Sequence, residues 1–203
     1  MTASTTQTPR NRGPLLLLAG LFLAPLALAF VLYYGTGWWP AGSTRHGDLL
    51  DPARPLAEVS LVRADGQPTG SGFLRGRWTL LYVGAGTCGP TCRQALVDTR
   101  QMRLALDRQA SRVQRVFLHA GALHATQELL SQHPDLLAAR VDGPAGEELL
   151  RPFPRFDTLP PVAANRIYVV DPLGNLVLSY APQADRRGVL KDLRQLLKLS
   201  HIG

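Results

Sequence analysis

Cysteine is scarce in this chain. There are two in 203 residues, Cys88 and Cys92, set four apart in Cys88-Gly89-Pro90-Thr91-Cys92. Acidic residues are absent before Asp48, and Leu15 to Tyr34 carries no charge of either sign. Internal repeats and low-complexity tracts are also absent, which leaves no basis for a solenoid or a tandem array. No basic helix interleaved with aromatics is present, so the formal net charge of +7 is not a nucleic-acid footprint. Two of the basic residues, Arg10 and Arg12, lie in the tail. The other twenty, mostly arginine, are scattered and face 15 acidic residues. What is present is an ordinary globular composition, 45% hydrophobic and 18% charged, with an added apolar segment. The length fits one domain with appendages.

The uncharged run from Leu15 to Tyr34 matches the roughly 20 residues that cross a bilayer as a helix. Arg10 and Arg12 precede it, which favours a cytoplasmic amino terminus. Tyr33, Tyr34, Trp38 and Trp39 follow as an aromatic belt at the far interface. A cleaved signal peptide is the competing reading, with Leu15 to Ala24 as its core and Ala27-Leu28-Ala29 as its cleavage site. The uncleaved anchor is favoured because Phe30 to Tyr34 continues the apolar run. Either way the cysteines reach a compartment where disulfides persist. The expected organisation is a cytoplasmic tail over 1–14, a single-pass anchor with its belt over 15–39, a linker over 40–56 and a domain over 57–203 on the periplasmic side.

Within the domain, Glu58 to Val62 alternates like a strand, and Ala64-Asp65-Gly66-Gln67 predicts a hairpin turn. Trp78 to Val83 is a continuous apolar run, as for a strand buried on both faces. A helix is predicted from about Pro90, where the missing N–H is harmless, with Ala95, Leu96, Thr99 and Met102 in its apolar stripe. Val113 to Leu118 predicts a second buried strand and 125–138 a helix broken near Pro134. Gly143 to Leu150 predicts a short helix. A strand at Ile167 to Asp171, a turn at Pro172 to Asn175 and an antiparallel partner at Leu176 to Tyr180 come next. The last helix is capped by Asp185. The order hairpin, β, α, β, α, β-hairpin, α is that of an α/β, thioredoxin-like central mixed sheet flanked by helices, here preceded by one N-terminal transmembrane helix.

The two thiols fall at the turn from a buried strand into a helix. A thiolate at a helix start gains from unpaired N–H groups and the helix dipole. With Cys88 before the helix and Cys92 one turn in, the sulfurs share a face at a solvent-reachable rim. There they form an exchangeable disulfide or grip a soft ion such as Cu(I). A purely structural disulfide is the plainer reading, but so short a loop restrains little of the unfolded chain. His119 ends the strand beside the one that feeds the cysteines, at the same edge of the sheet. It is therefore a third metal ligand or proton donor, or else a strand-end histidine bonded to a loop. His124 is placed near a helix start, His133 and His201 at the solvated surface, and His46 in the linker without a role. Trp78, Tyr82 and Tyr168 read as core. Arg93, Arg100, Arg103 and Arg108 read as a solvated helix face or, more sharply, as a surface for an acidic partner.

The run from Gly72 to Cys92 (Gly-Phe-Leu-Arg-Gly-Arg-Trp-Thr-Leu-Leu-Tyr-Val-Gly-Ala-Gly-Thr-Cys-Gly-Pro-Thr-Cys) resembles the Sco (SenC) family of membrane-anchored thioredoxin-like proteins. Arg166-Ile-Tyr-Val-Val-Asp-Pro-Leu-Gly-Asn175 resembles that family's later strand and turn. The resemblance spans roughly residues 57–199. It implies a role in respiratory cytochrome c oxidase assembly, either by delivering copper to the Cu(A) centre or by reducing that centre's cysteines. Cys88 and Cys92 would be the thiol pair, copper as Cu(I) the metal handled, and an oxidase subunit or another assembly factor the partner. The family holds copper with both cysteines and one distal histidine. At that histidine's position this chain has Ala163, within Pro161-Val-Ala-Ala-Asn165.

Overall fold

The computed structural model describes residues 12–35, 45–123, 126–200 and 202, and separates into two compact units that divide after Thr44. In the first, α1 (Gly13–Gly35) is a helix of 23 residues with Pro25 inside it. Its span from Leu17 to Gly35 has a mean hydropathy of 2.2 and is long and apolar enough to cross a membrane. Tyr33 and Tyr34 stack edge-on at its end. Arg10, Trp38 and Trp39 lie outside the described residues.

The second unit is built on one mixed sheet. Its strands are β1 (Asp48–Pro55), β2 (Ser60–Arg63), β3 (Pro68–Gly70), β4 (Trp78–Ala85), β5 (Val113–Ala120), β6 (Leu136–Arg140), β7 (Ile167–Val170) and β8 (Asn175–Tyr180). They lie in the order β1-β8-β7-β4-β5-β6-β2-β3. The helices are α2 (Pro90–Leu104), α3 (Thr126–Gln132), α4 (Gly143–Leu150), α5 (Pro161–Ala164) and α6 (Arg186–Leu199). β4, β5 and β6 run parallel, β7 runs antiparallel to them, and β8 runs antiparallel to β7 and so in the direction of β4. Parallel strands need crossovers, which α2 and α3 supply, and their faces must both be covered. Accordingly every residue of β4 before Ala85 is buried. On one face Leu80, Tyr82 and Phe117 pack under Ala95, Leu96, Val189 and Leu193 from α2 and α6. On the other, Leu81, Val83 and Leu118 pack with Leu61, Leu74, Leu149 and Phe153. Asp185 caps α6 by accepting the Arg187 N–H, as the sequence predicts.

Two stretches differ from the sequence reading. Residues 48–55, expected within the linker, form β1 against β8, with a register break between Leu49 and Arg54. Prolines hid this strand, and an edge position is where a sheet accepts them. The helix expected over 125–138 stops at Gln132, and Leu136–Arg140 is a strand. Leucine and alanine favour helix locally, but β5 on one side and β2 on the other supply ladders that override the propensity.

Candidate functional site

In register, Gly84 of β4 stands opposite His119 of β5, so both carboxyl ends open on the same sheet edge, as expected. The first residue past β4 must be glycine. The Gly86 N–H donates to the Ala120 carbonyl at 2.7 Å. A Cβ there would lie 2.3 Å from the Ala122 carbonyl oxygen. Cys88 adopts the left-handed region at φ 39°, a conformation uncommon outside glycine and asparagine. Its N–H donates back to the Ala85 carbonyl at 3.1 Å. Gly89 is the N-cap and Pro90 opens α2, which places Cys92 in the first turn.

Cys88 and Cys92 form a disulfide, with Cα atoms 5.0 Å apart. The sulfurs therefore meet, but the expectation of a solvent-reachable rim is corrected. Cys88 is 4% exposed and Cys92 3%, and both pack in the cluster that holds Tyr82, Leu96 and Phe117. Their sequence neighbours Thr87, Gly89, Pro90 and Thr91 are exposed. The cysteines are thus buried within a short segment whose other residues are exposed.

One contact the sequence reading missed bears on the pair. Arg93, assigned to a solvated arginine face, turns back so that its Nη1 donates to the Cys88 carbonyl at 3.0 Å. This holds a guanidinium beside Cys88, where a positive charge favours a thiolate. The signal was an arginine one position past Cys92, which spacing alone could not distinguish from Arg100 or Arg108. Arg103 also departs from that face: its Nε donates to the Val113 carbonyl at 2.7 Å.

His119 is 2% exposed. Its Nδ1 lies 2.9 Å from the Gly121 carbonyl and its ring 5.4 Å from that of Phe117. Its Nε2 has no hydrogen-bond partner among the described residues. The structure does not gather His119 with Cys88 and Cys92: among the described residues no group of three or more His, Cys, Asp or Glu is placed to hold a metal ion. Ala163, at the position of the family histidine, lies exposed in α5. His133 is not at the solvated surface: it is 4% exposed, and its Nδ1 is likewise without a partner among the described residues. The reason is that its chain ends α3 by bonding to Leu129 and Leu130 and turns inward before β6. His46 has a structural place, its Nδ1 3.1 Å from Asp192 Oδ1 and its N–H donating to Asp192 Oδ2 at 2.7 Å. His124 and His201 lie outside the described residues. Trp78, Tyr82 and Tyr168 are buried, as read from the sequence. Burial pushes the Tyr82 phenol up to about 12, so it remains a donor, and it binds Asn165 Oδ1 at 2.9 Å. That bond ties the end of β4 to the loop after α5.

Burial holds the imidazoles of His119 and His133 below their ordinary pKa, and Arg140 beside the first and Arg115 and Arg100 beside the second add to the effect. Each takes up its proton at a lower pH in the folded chain than in the unfolded one, where it does so near 6.5. Stability is therefore full above about pH 6.5 and falls as pH drops below it, by up to about 1.4 kcal/mol per pH unit and per imidazole, until the folded imidazoles protonate too. Chemical denaturation followed through that window should show a shallower slope in a His119→Gln/His133→Gln chain than in the wild type.

No curated protein matches the chain in sequence. Solved structures do match in fold. Apo Sco1 of Thermus thermophilus is 22% identical, with a TM-score of 0.60 over 77% of this chain and 99% of that one. Copper-bound yeast Sco1 is 17% identical, with a TM-score of 0.59 over 72% and 90%. BsSco, described as carrying a disulfide switch and as a member of the Sco family of cytochrome c oxidase assembly proteins, is 12% identical, with a TM-score of 0.52 over 75% and 99%. These likenesses establish a Sco-like thioredoxin fold. The family described as "Transmembrane-like, thioredoxin-like, C-terminal domain" matches residues 78–200, more than half of the sequence and all of the span from β4 to α6, and the chain belongs to that family.

Proposed function

We propose that this is a membrane-anchored, Sco-like thiol–disulfide protein of respiratory cytochrome c oxidase assembly, with its thioredoxin-like domain on the periplasmic side of an uncleaved α1. The observation that carries the reading is the disulfide of Cys88 and Cys92 at the turn from β4 into α2. In the reduced protein Cys88, beside Arg93, is the attacking thiolate. It displaces one sulfur of a partner disulfide, forming a mixed disulfide and releasing a partner thiolate that takes up a proton. Cys92 then attacks the Cys88 sulfur. This restores the internal disulfide and frees the second partner thiol, so two electrons have passed to the partner. An external dithiol must reduce the pair again. Both cysteines are nearly covered when oxidised, so exchange requires the turn from β4 into α2 to open locally.

Copper enters this reading as cargo. Two thiolates are soft ligands suited to Cu(I), and solved relatives in fold include a copper-bound Sco1. Without a third ligand drawn in among the described residues, the fit is to the thiol pair alone.

The test is oxidase maturation in cells, read as Cu(A) absorbance. Cys88→Ser and Cys92→Ser should each lose maturation as completely as deletion of the domain. Normal maturation in either variant, with loss only on deletion, would leave the domain a non-catalytic scaffold.

A further inference from the structure

A second site lies away from the disulfide, where the hairpin strand β2 and the ends of β5 and β6 enclose a cavity of about 270 Å³. His119, Arg63 and Arg140 line it together with Val62, Ala122 and Leu123. We propose that this cavity binds a small anion that also carries a hydroxyl or N–H donor, such as a hydroxycarboxylate or a phosphorylated polyol.

The chemistry follows from the tautomer of His119. A carbonyl oxygen only accepts, so Nδ1, 2.9 Å from the Gly121 carbonyl, must be the N–H donor. Nε2 then presents a lone pair. It is buried and has no partner among the described residues, on a side chain whose residue lines the cavity. A buried acceptor left unpaired is destabilising, so a persistent one implies that something supplies a donor. The imidazole is held in place from behind: the Gly121 N–H donates to both Asp142 carboxylate oxygens, at 2.9 and 3.1 Å.

The two arginines decide the sign of the charge. Arg63 meets Asp65 at 3.7 Å and Arg140 meets Asp142 at 3.5 Å, one contact each. A guanidinium has five N–H donors, so each retains donors for an acceptor in the cavity. Neither aspartate lines it. Two cationic walls repel a metal ion and attract a carboxylate or phosphate. Val62, Ala122 and Leu123 leave an apolar side for a short carbon skeleton. The volume has room for on the order of nine water-sized groups, which fits a molecule of that class and excludes a nucleotide.

The full chain in detergent micelles is titrated with malate and with glycerol 3-phosphate, by calorimetry and by NMR of the histidine ring nitrogens. Succinate, which lacks the hydroxyl, and glycerol, which lacks the anion, are the paired controls. Saturable binding of malate or glycerol 3-phosphate is expected, with a shift of the His119 Nε2 resonance. Each control should bind about tenfold more weakly or worse, and His119→Phe and Arg140→Gln should each weaken binding by about tenfold. Arg140 is half exposed, so its variant remains informative if the buried His119→Phe chain fails to fold. No saturable binding at millimolar concentration would overturn the proposal. So would unchanged affinity in Arg140→Gln, equal affinity for malate and succinate, or saturation by Zn²⁺ in place of the anions.

Discussion

Cys92→Ser is expected to stop thiol exchange halfway. Cys88 remains able to attack a partner disulfide, but no second thiol returns to release it. A covalent complex should therefore accumulate, visible on a non-reducing gel and lost on adding dithiothreitol. Cys88→Ser should form no such complex, because the remaining Cys92 lacks the guanidinium that Arg93 holds against the Cys88 carbonyl. Turnover with a disulfide-bonded Cu(A)-type peptide should fall to the uncatalysed background in both variants. An adduct formed by Cys88→Ser and not by Cys92→Ser would reverse the roles. Turnover at the wild-type rate in either would remove the pair from the chemistry altogether.

Asp135→Ala is expected to cause the largest loss of stability outside the disulfide. Arg115 points from β5 into the face covered by α2, and its side chain is fully buried. Its charge is met by Asp135, with Nη1 2.8 Å from Oδ1. Its remaining donors reach Thr99 Oγ1 at 3.2 Å and the Leu96 carbonyl. The desolvation that depresses the Arg115 pKa is opposed chiefly by Asp135. Removing the carboxylate strands a buried cation, a loss of about 3–5 kcal/mol, whereas replacing both partners with apolar groups is often close to neutral. Denaturant midpoints should therefore show a severe drop for Asp135→Ala and a substantial recovery in Arg115→Met/Asp135→Leu. A small effect of the single change would mean that water reaches Arg115.

The elements that place the site were legible because each rests on a local signal that tertiary packing reinforces. β4 is a continuous apolar run, Pro90 suits the first turn of α2, and Asp185 caps α6. β6 was not legible, since Leu136 to Ala139 favour helix until β5 and β2 pair with them. β1 was hidden by prolines that an edge position tolerates. Within the site, spacing revealed that Cys88 and Cys92 can meet, but not that they are covered, because Tyr82, Leu96 and Phe117 come from three different elements. The same holds for His119. Its strand was predicted, yet its cavity depends on Arg63 and Arg140, which are far apart in the sequence and come together across the β2–β6 ladder. The inward turn of His133 was lost with the helix that was expected to carry it.

The reading stands on the bond between Cys88 and Cys92 being one that partners make and break. Equilibrating the full-length protein in glutathione and dithiothreitol buffers of graded potential, then counting free thiols by alkylation, measures this directly. An exchangeable pair should titrate above about −300 mV, in the range of catalytic and regulatory disulfides. A midpoint far below that value, or thiols that stay bonded until the domain unfolds, would make the bond a structural clip and contradict the proposed function.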